Sequence, residues 1–132
     1  PDYTHPFQII DSSEIKITNF VFAGDTAVNL DPGIDGYGTG WGLYVRNSQN
    51  ITIDNSAFYD WGRAALFDRV TGLVVSSNNV HEIRSDGFDF TDVDDVLIEH
   101  NYIHDFSKSS LSDDHPDMIQ FWTNGTTSPS TN

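Results

Sequence analysis

The sequence contains no cysteine, which excludes disulfide bonds and thiolate metal sites. Basic residues are scarce, because 6 Lys and Arg stand against 20 Asp and Glu and give a formal net charge of -14 at pH 7. So acidic a chain repels nucleic acid and anionic lipid, and we therefore expect neither nucleic acid nor membrane as a partner. No apolar run approaches the roughly 20 residues of a membrane-spanning helix. Acidic polysaccharides are repelled too, unless a bound cation reverses the local field.

Short apolar strands recur along the chain. In four segments an apolar residue is followed by a second one two positions later and by a third seven positions later. The segments open at Ile15, Ile51, Leu73 and Val96, so the later openings are evenly spaced and the first interval is longer. A period of about 22 residues is typical of a solenoid, in which each turn buries its apolar side against its neighbours.

A further strand is aligned with this repeat. It occupies residues 5–9, 41–45, 63–67, 86–90 and 117–121, and its third and fifth residues are apolar in every turn. Because strand side chains alternate between faces, those residues should point inward. The fourth residues should line an outward column, which comprises Gln8, Tyr44, Leu66, Asp89 and Gln120.

With a third short strand in each turn, the pattern predicts an all-β parallel β-helix of about five turns, with three short strands and about 22–23 residues per basic turn. We expect residues 1–132 to be a single domain and a fragment of a longer solenoid. Asn55, Asn78 and Asn101 follow the second strand and predict a structural hydrogen-bonded ladder. Two insertions, residues 23–40 and 105–116, should form walls beside the outward column.

The outward positions become acidic in the last two turns. Where the first strand earlier opens with Trp41 and Arg63, it now opens with Asp86 and Asp117, and Asp89 lies beside them. Adjacent turns lie about 4.8 Å apart, so these carboxylates cannot all ionise without cost. Either one pKa rises, which gives a proton donor, or a cation such as Ca²⁺ sits between the acids.

Residues 113–115 add to this group from the second insertion. Asp113 and Asp114 supply further oxygen ligands, and His115 supplies an imidazole that suits a base. The predicted metal ligands are Asp86, Asp117, Asp113 and Asp114. The ordinary alternative is that these residues only shape turns, where Asp is favoured.

Basic, amide and aromatic side chains nearby are candidates for holding a sugar. Arg63 and Lys108 are suited to an acidic sugar, and Gln120 lines the outward column. Tyr44 and Trp122 are suited to stacking on a sugar ring, and the alternative for both is packing under a loop.

The repeat, its asparagine turns and its acidic outward column resemble the pectate-lyase-like right-handed parallel β-helix superfamily over essentially the whole chain. Residues 87–89 resemble the Gly-Phe-Asp core of the Tyr-Gly-Phe-Asp-Pro-His-Glu motif of mannuronan C5-epimerase catalytic modules, which implies that Asp89 is a catalytic acid. The sequence departs from that motif at Asp86, where the motif has Tyr, and at Thr91, where it has His. Residues 115–120 resemble a His-x-Asp-x-x-Gln pattern of polysaccharide-active β-helix proteins.

The leading hypothesis is a lyase or C5-epimerase that acts on a uronate-containing polysaccharide. Both reactions begin by removing the C5 proton, which needs a neutralised carboxylate, a base and a proton donor. Ca²⁺ or Arg63 is the candidate for neutralisation, and His115 or a carboxylate is the candidate for the base. Asp86, Asp89 and Asp117 are the candidates for metal binding or proton donation.

Two alternatives stay open. Paired acids also suit an inverting glycoside hydrolase, in which two carboxyl groups flank the scissile bond. A non-catalytic carbohydrate-binding or structural solenoid, which associates head-to-tail through open β-helix ends, is the other alternative. The resemblance implies a secreted or extracellular protein of bacterial origin.

Overall fold

The computed structural model describes residues 7–24, 38, 40–123, 125 and 130, and within them the chain forms eleven β-strands and no helix. The strands are β1 (Phe7–Ile10), β2 (Ser13–Thr18), β3 (Val21–Ala23), β4 (Trp41–Asp54), β5 (Ala57–Trp61), β6 (Arg63–Ser76), β7 (Asn79–Ile83), β8 (Phe88–Thr91), β9 (Asp94–Glu99), β10 (Tyr102–Ile103) and β11 (Ile119–Trp122). The all-β fold class is therefore confirmed.

Each strand pairs in parallel with strands one turn away along the chain, so the chain coils. Among the described strands, the larger sheet has seven, in the order β1–β4–β6–β8–β11 with β2 also on β4 and β9 also on β6. The smaller sheet has four, in the order β10–β7–β5–β3. Along the larger sheet the register joins Phe7 to Leu43, Leu43 to Ala65, Ala65 to Phe88 and Phe88 to Ile119. The two middle intervals match the predicted period, and the first and last are longer because they contain the insertions.

The expected three strands per turn are present as β1, β2 and β3 and again as β8, β9 and β10, but not in the turns between them. In the middle of the chain the first two predicted strands form one continuous strand of 14 residues, β4 and then β6. Pairing between turns continues across the bend at residues 47–50, so the strand bends without ending. Neither sheet closes on itself, and the described strands do not fix the number of complete turns, so the count of five stays a prediction.

Aligned residues with left-handed backbone bend the chain at the corners of the coil. The non-glycine members have φ between 46° and 60°, and they are Asp11, Asn47, Arg69 and Asp92; Glu14, Asn50 and Asp95; Asn19, Asn55, Ser77 and His100; and Asp60, Glu82 and Asp105. Most are Asn or Asp, which tolerate this conformation through local hydrogen bonds. Arg69 has no such short polar side chain, so its backbone conformation costs about 1 kcal/mol.

The interior is a stack of apolar side chains from successive turns. The inward residues predicted for the middle turns are fully buried, and they are Leu43, Val45, Ala65, Phe67, Phe88 and Phe90. Phe67 and Phe90 stack with ring centroids 5.1 Å apart. The edge strands β1 and β11 have a register neighbour on one side only, so Phe7, Ile119 and Phe121 are 41%, 41% and 52% exposed despite their inward parity.

Asn78 and Asn101 form the predicted ladder. Asn78 Oδ1 accepts a hydrogen bond from the backbone N–H of Ser56 at 3.0 Å, and Asn101 Oδ1 accepts one from the backbone N–H of Asn78 at 2.9 Å. The prediction for Asn55 is wrong, because the register places Ser56 at the level of Asn78. Asn55 lies one residue earlier, where its side chain is exposed and donates to Asn19 on the preceding turn.

Asn78→Ala should destabilise the fold by about 2–3 kcal/mol, because it leaves the Ser56 N–H and the Ile53 carbonyl buried without partners. Urea unfolding followed by tryptophan fluorescence measures the loss. The matched control is Asn79→Ala, since Asn79 is the exposed neighbour that contacts His104, and it should change the stability by about 0.5 kcal/mol or less. Equal losses in the two variants would contradict a stabilising ladder.

Candidate functional site

Three columns of outward side chains lie side by side on the larger sheet. The first comprises Trp41, Arg63, Asp86 and Asp117; the second comprises Gln8, Tyr44, Leu66, Asp89 and Gln120; the third comprises Ile10, Arg46, Asp68, Thr91 and Trp122. The predicted alignment from Gln8 to Gln120 is therefore confirmed. The predicted catalytic residues lie in the first two columns, with the exception of His115.

Arg63 joins the carboxylates of the first two columns. Its Nε lies 2.9 Å from Asp86 Oδ2, and its Nη1 lies 3.6 Å from Asp89 Oδ2. The guanidinium carbon lies 5.3 Å from the ring centroid of Trp41 on the preceding turn, which is a cation–π distance. We call Arg63, Asp86, Asp89 and Asp117 the acid cluster. The Arg63 side chain is 29% exposed, so it connects the two buried acids to the surface.

Asp86 links three successive turns. Its Oδ2 contacts Arg63 on the preceding turn, and its Oδ1 accepts a hydrogen bond from the backbone N–H of Asp117 on the following turn at 3.3 Å. The turns approach closely here because Gly87 has no side chain. A Cβ at this position would lie 2.4 Å from the backbone oxygen of Met118, so the glycine is required by the contact between turns.

Asp89 is buried, although its place in the outward column predicts exposure. The residue is 0% exposed, and neither carboxylate oxygen has a hydrogen-bond partner within the described part of the chain. Desolvation, reinforced by the negative charge of Asp86 and opposed by Arg63, raises the pKa of Asp89 to about 7. Near neutral pH this carboxyl therefore exchanges between its protonated and ionised forms.

The loop of residues 105–116 runs beside the acid cluster, as predicted. Asp114 Oδ2 accepts a hydrogen bond from Arg84 Nε at 3.0 Å. Burial raises the pKa of Asp114, but hydrogen bonds from Ser112 and Arg84 outweigh it and lower that pKa. His115 Nδ1 lies 3.4 Å from Asp117 Oδ2, and the two side chains are 82% and 45% exposed, so this pair is accessible.

The remaining predicted residues lie around the cluster. Gln120 is half-buried in register with Asp89, and Trp122 is 42% exposed in the third column. Asp113 and Lys108 are exposed on the loop. The other predicted wall, residues 23–40, falls for most of its length outside the described residues.

Two of the predicted metal ligands have protein partners in the structure. Both oxygens of Asp86 are engaged, by Arg63 and by the Asp117 N–H, and Asp114 is held by Arg84. Over the part of the chain that the structure describes, no three His, Asp or Glu side chains converge as a metal ion requires. Calcium binding at Asp86, Asp117, Asp113 and Asp114 stays a prediction.

A second polar group lies on the same face, and it was not predicted from the sequence. We call Tyr44, Arg46, Asp68 and Arg69 the Asp68 cluster. Asp68 Oδ2 accepts hydrogen bonds from the Tyr44 hydroxyl at 3.2 Å and from Arg69 Nη2 at 3.0 Å, and Arg46 Nε lies 3.4 Å away. Burial, and then the charge of Asp68, raises the pKa of Tyr44, so its hydroxyl stays a donor. This group could have been predicted by extending the alignment to the third outward column, in which Arg46 pairs with Asp68.

Parallel pairing between turns, apolar residues inside and polar columns outside define a parallel β-solenoid. The family model for the right-handed β-helix region matches residues 41–125, and the chain belongs to this family. This match confirms the β-helix part of the predicted resemblance and nothing finer. No curated protein and no solved structure matched the chain. None of the described residues forms a helix long and apolar enough to cross a membrane.

Ionisation of Asp89 should destabilise the fold. In the unfolded chain this carboxyl ionises near its ordinary pKa of 3.8, whereas in the fold it keeps its proton up to about 7. The folded state then binds more protons than the unfolded state, so this contribution to stability falls as the pH rises from about 4 to 7 and is constant above that range. The slope is at most about 1.4 kcal/mol per pH unit.

Urea unfolding of the wild type and of Asp89→Asn between pH 4 and pH 8 measures this effect. Because the amide does not titrate, the variant should gain stability relative to the wild type as the pH rises. Asp113→Asn, at an exposed site on the loop, is the control and should follow the wild-type curve. Parallel curves for Asp89→Asn and the wild type would show that Asp89 is not protonated in the fold.

Proposed function

We propose that the outward face of the larger sheet binds a uronate-containing polysaccharide and that the protein acts on it as a lyase or C5-epimerase. The observation that carries this proposal is the buried Asp89 carboxyl, with a pKa of about 7, that faces the Arg63 guanidinium at 3.6 Å. A carboxyl with a raised pKa beside a fixed cation is typical of sites that move protons. β-helix domains are common in polysaccharide-active proteins, which supports the same class of substrate.

Arg63 is suited to neutralise the carboxylate of a uronate. Removal of the C5 proton moves negative charge onto that carboxylate, and a guanidinium that binds both of its oxygens stabilises the charge. The Arg63 side chain reaches the surface, and the Trp41 ring supports it from the preceding turn.

His115 is the candidate base, and Asp117 is the residue that orients it. The imidazole is exposed and its Nδ1 faces the Asp117 carboxylate, which leaves Nε2 to accept a proton from the substrate. Arg63 and Asp117 are two turns apart in the first column, so their backbones lie about 10 Å apart. Asp86 lies between them in this column, so a sugar ring that contacts both the guanidinium and the imidazole would lie outward of Asp86.

Asp89 meets the substrate only when Arg63 moves. If Arg63 turns outward to bind a uronate carboxylate, Asp89 loses the positive charge that lowers its pKa, so its pKa rises and it takes up a proton. Protonated Asp89 then serves as the donor, to the leaving glycosidic oxygen in a lyase or to C5 in an epimerase.

An inverting glycoside hydrolase is the second candidate, and the raised pKa of Asp89 favours it. A carboxyl that holds a proton near neutral pH suits the general acid, and Asp117 is the candidate for activating water. The third candidate is a non-catalytic carbohydrate-binding or structural solenoid that associates head-to-tail.

Incubation of the protein with alginate, pectate and neutral glycans tests the reaction class. Unsaturated ends that absorb in the ultraviolet indicate a lyase, altered uronate NMR signals without cleavage indicate an epimerase, and reducing ends alone indicate a hydrolase. Retained glycan binding without turnover on any substrate would contradict an enzyme and support the third candidate.

Arg63→Gln should lower turnover about 100-fold or more, because it removes the charge that stabilises the transition state. Arg63→Lys keeps the charge but loses the two-pronged contact, so it should fall between the wild type and Arg63→Gln. His115→Ala should lower turnover by a factor on the order of 100. The control is Lys16→Gln, which removes a positive charge paired with Asp54 away from the three columns. Wild-type rates in the Arg63 variants would remove Arg63 from the mechanism.

Turnover should persist in EDTA, because Arg63 supplies the positive charge that the uronate needs. The measurement is the initial rate with EDTA and after Ca²⁺ is restored. A rate that vanishes in EDTA and returns with Ca²⁺ would assign neutralisation to calcium at the predicted ligands instead. Calorimetric titration of Asp117→Asn with Ca²⁺ then tests that site directly.

A further inference from the structure

The Asp68 cluster concentrates positive charge on an otherwise acidic protein. The chain has 6 Lys and Arg in total, and two of them, Arg46 and Arg69, share a single carboxylate oxygen of Asp68. Two guanidinium groups share this one carboxylate. The arginine side chains are 46% and 38% exposed, whereas the Asp68 side chain is 7% exposed, so the positive groups face solvent.

These contacts occupy only some of the N–H donors of each arginine. Arg46 meets Asp68 through Nε, and Arg69 donates from Nε to Asn47 Oδ1 at 2.7 Å and from Nη2 to Asp68. Each guanidinium carries five N–H donors, so several remain for an incoming anion. Asp68 thus fixes the two guanidinium groups while using only some of their N–H donors.

Arg69 lies at a corner of the coil and has a left-handed backbone. Its φ is 54°, and the aligned residues on other turns are Asp11, Asn47 and Asp92, which adopt the left-handed conformation readily. The Arg69 side chain does not stabilise the conformation as a short Asn or Asp side chain does, but it donates to Asn47 and Asp68.

A polar recess lies directly beside Arg69. It has a volume of about 370 Å³ and is lined by Asp11, Ser12, Ser13, Asn47, Ser48, Gln49 and Thr71. Asn47 belongs both to its wall and to the contacts of Arg69. The side chains of Ser13, Gln49 and Thr71 suit a polyhydroxylated ligand, whereas the Ser12 and Ser48 hydroxyls donate to the backbone carbonyls of Ile10 and Arg46.

We propose that Arg46, Arg69 and this recess form a second subsite that binds a carboxylated sugar. The guanidinium groups bind the carboxylate, and the hydroxyl and amide groups of the recess bind the sugar hydroxyls. Asp68 is a positioning residue for the two arginines. The choice of a uronate as ligand rests on the proposed function, but binding here needs no catalysis. Arg69 lies six residues from Arg63 along β6, which is roughly 20 Å of strand, so an oligosaccharide of that length can reach both.

Calorimetric titration of the full chain with uronate oligosaccharides of defined length tests the subsite. The variant combines Arg46→Gln with Arg69→Asn, because Asn fits the left-handed backbone and preserves the bend while it removes the charge. The Kd should rise about tenfold or more, and the salt dependence of binding should weaken. Arg46→Gln alone changes an exposed side chain, so it tests the same point with little risk to folding and should raise the Kd about threefold.

Two comparisons separate this proposal from a general loss of charge and from the catalytic proposal. Lys16→Gln removes the same charge elsewhere and should bind as the wild type does. Neutral oligosaccharides should bind weakly to every variant, and sulfated ones that bind as tightly as uronates would contradict a carboxylate-specific site. If no substrate is turned over but the arginine variants still lose uronate binding, the subsite stands and the enzyme proposal fails. Unchanged uronate affinity in those variants, or no affinity in the wild type, overturns the subsite.

Discussion

Parallel pairing between consecutive turns is the constraint on which the rest of this structure depends. It places residues one repeat period apart next to each other, so a sequence period becomes a set of columns in space. Apolar columns fill the interior, and polar columns form the outer surface. A solenoid of this kind has no long-range core, so each column depends on its neighbours one turn away. The acid cluster exists because this register brings Arg63, Asp86 and Asp117 into one line.

Much of the fold was predictable because the register is fixed by the positions of apolar residues. The inward pairs Leu43 and Val45, Phe67 with Ala65, and Phe88 and Phe90 are buried as the alternation requires. The merging of predicted strands into β4 and β6 was not predictable, because a left-handed residue bends a strand without necessarily ending its pairing. The prediction that Asn55 belongs to the ladder failed for a similar reason, because the apolar pattern does not reveal a shift of one residue at a corner.

The site was only partly predictable, because alignment fixes which residues are neighbours but not how deeply they lie. Asp86, Asp89 and Arg63 were expected to be close together, and they are. The outward position of Asp89 in the alternating pattern does not predict its burial. Whether an outward side chain is covered depends on segments that do not repeat. The Asp68 cluster was missed because Arg46, Asp68 and Arg69 lie just beyond residues 41–45 and 63–67, where the aligned strands were predicted to end.

The contacts of the Asp86 carboxylate determine the order in which the acid cluster assembles during synthesis. It holds Arg63 from the turn before and the backbone of Asp117 from the turn after, so the acid cluster spans three turns. A nascent chain emerges from its N-terminus, and turns of a solenoid can dock one after another as they are made. Arg63 and Asp86 can therefore meet before residue 117 has left the ribosome, but the cluster is complete only after the next turn docks. The site is thus completed one turn later than the Arg63–Asp86 pair, when the backbone N–H of Asp117 reaches Asp86.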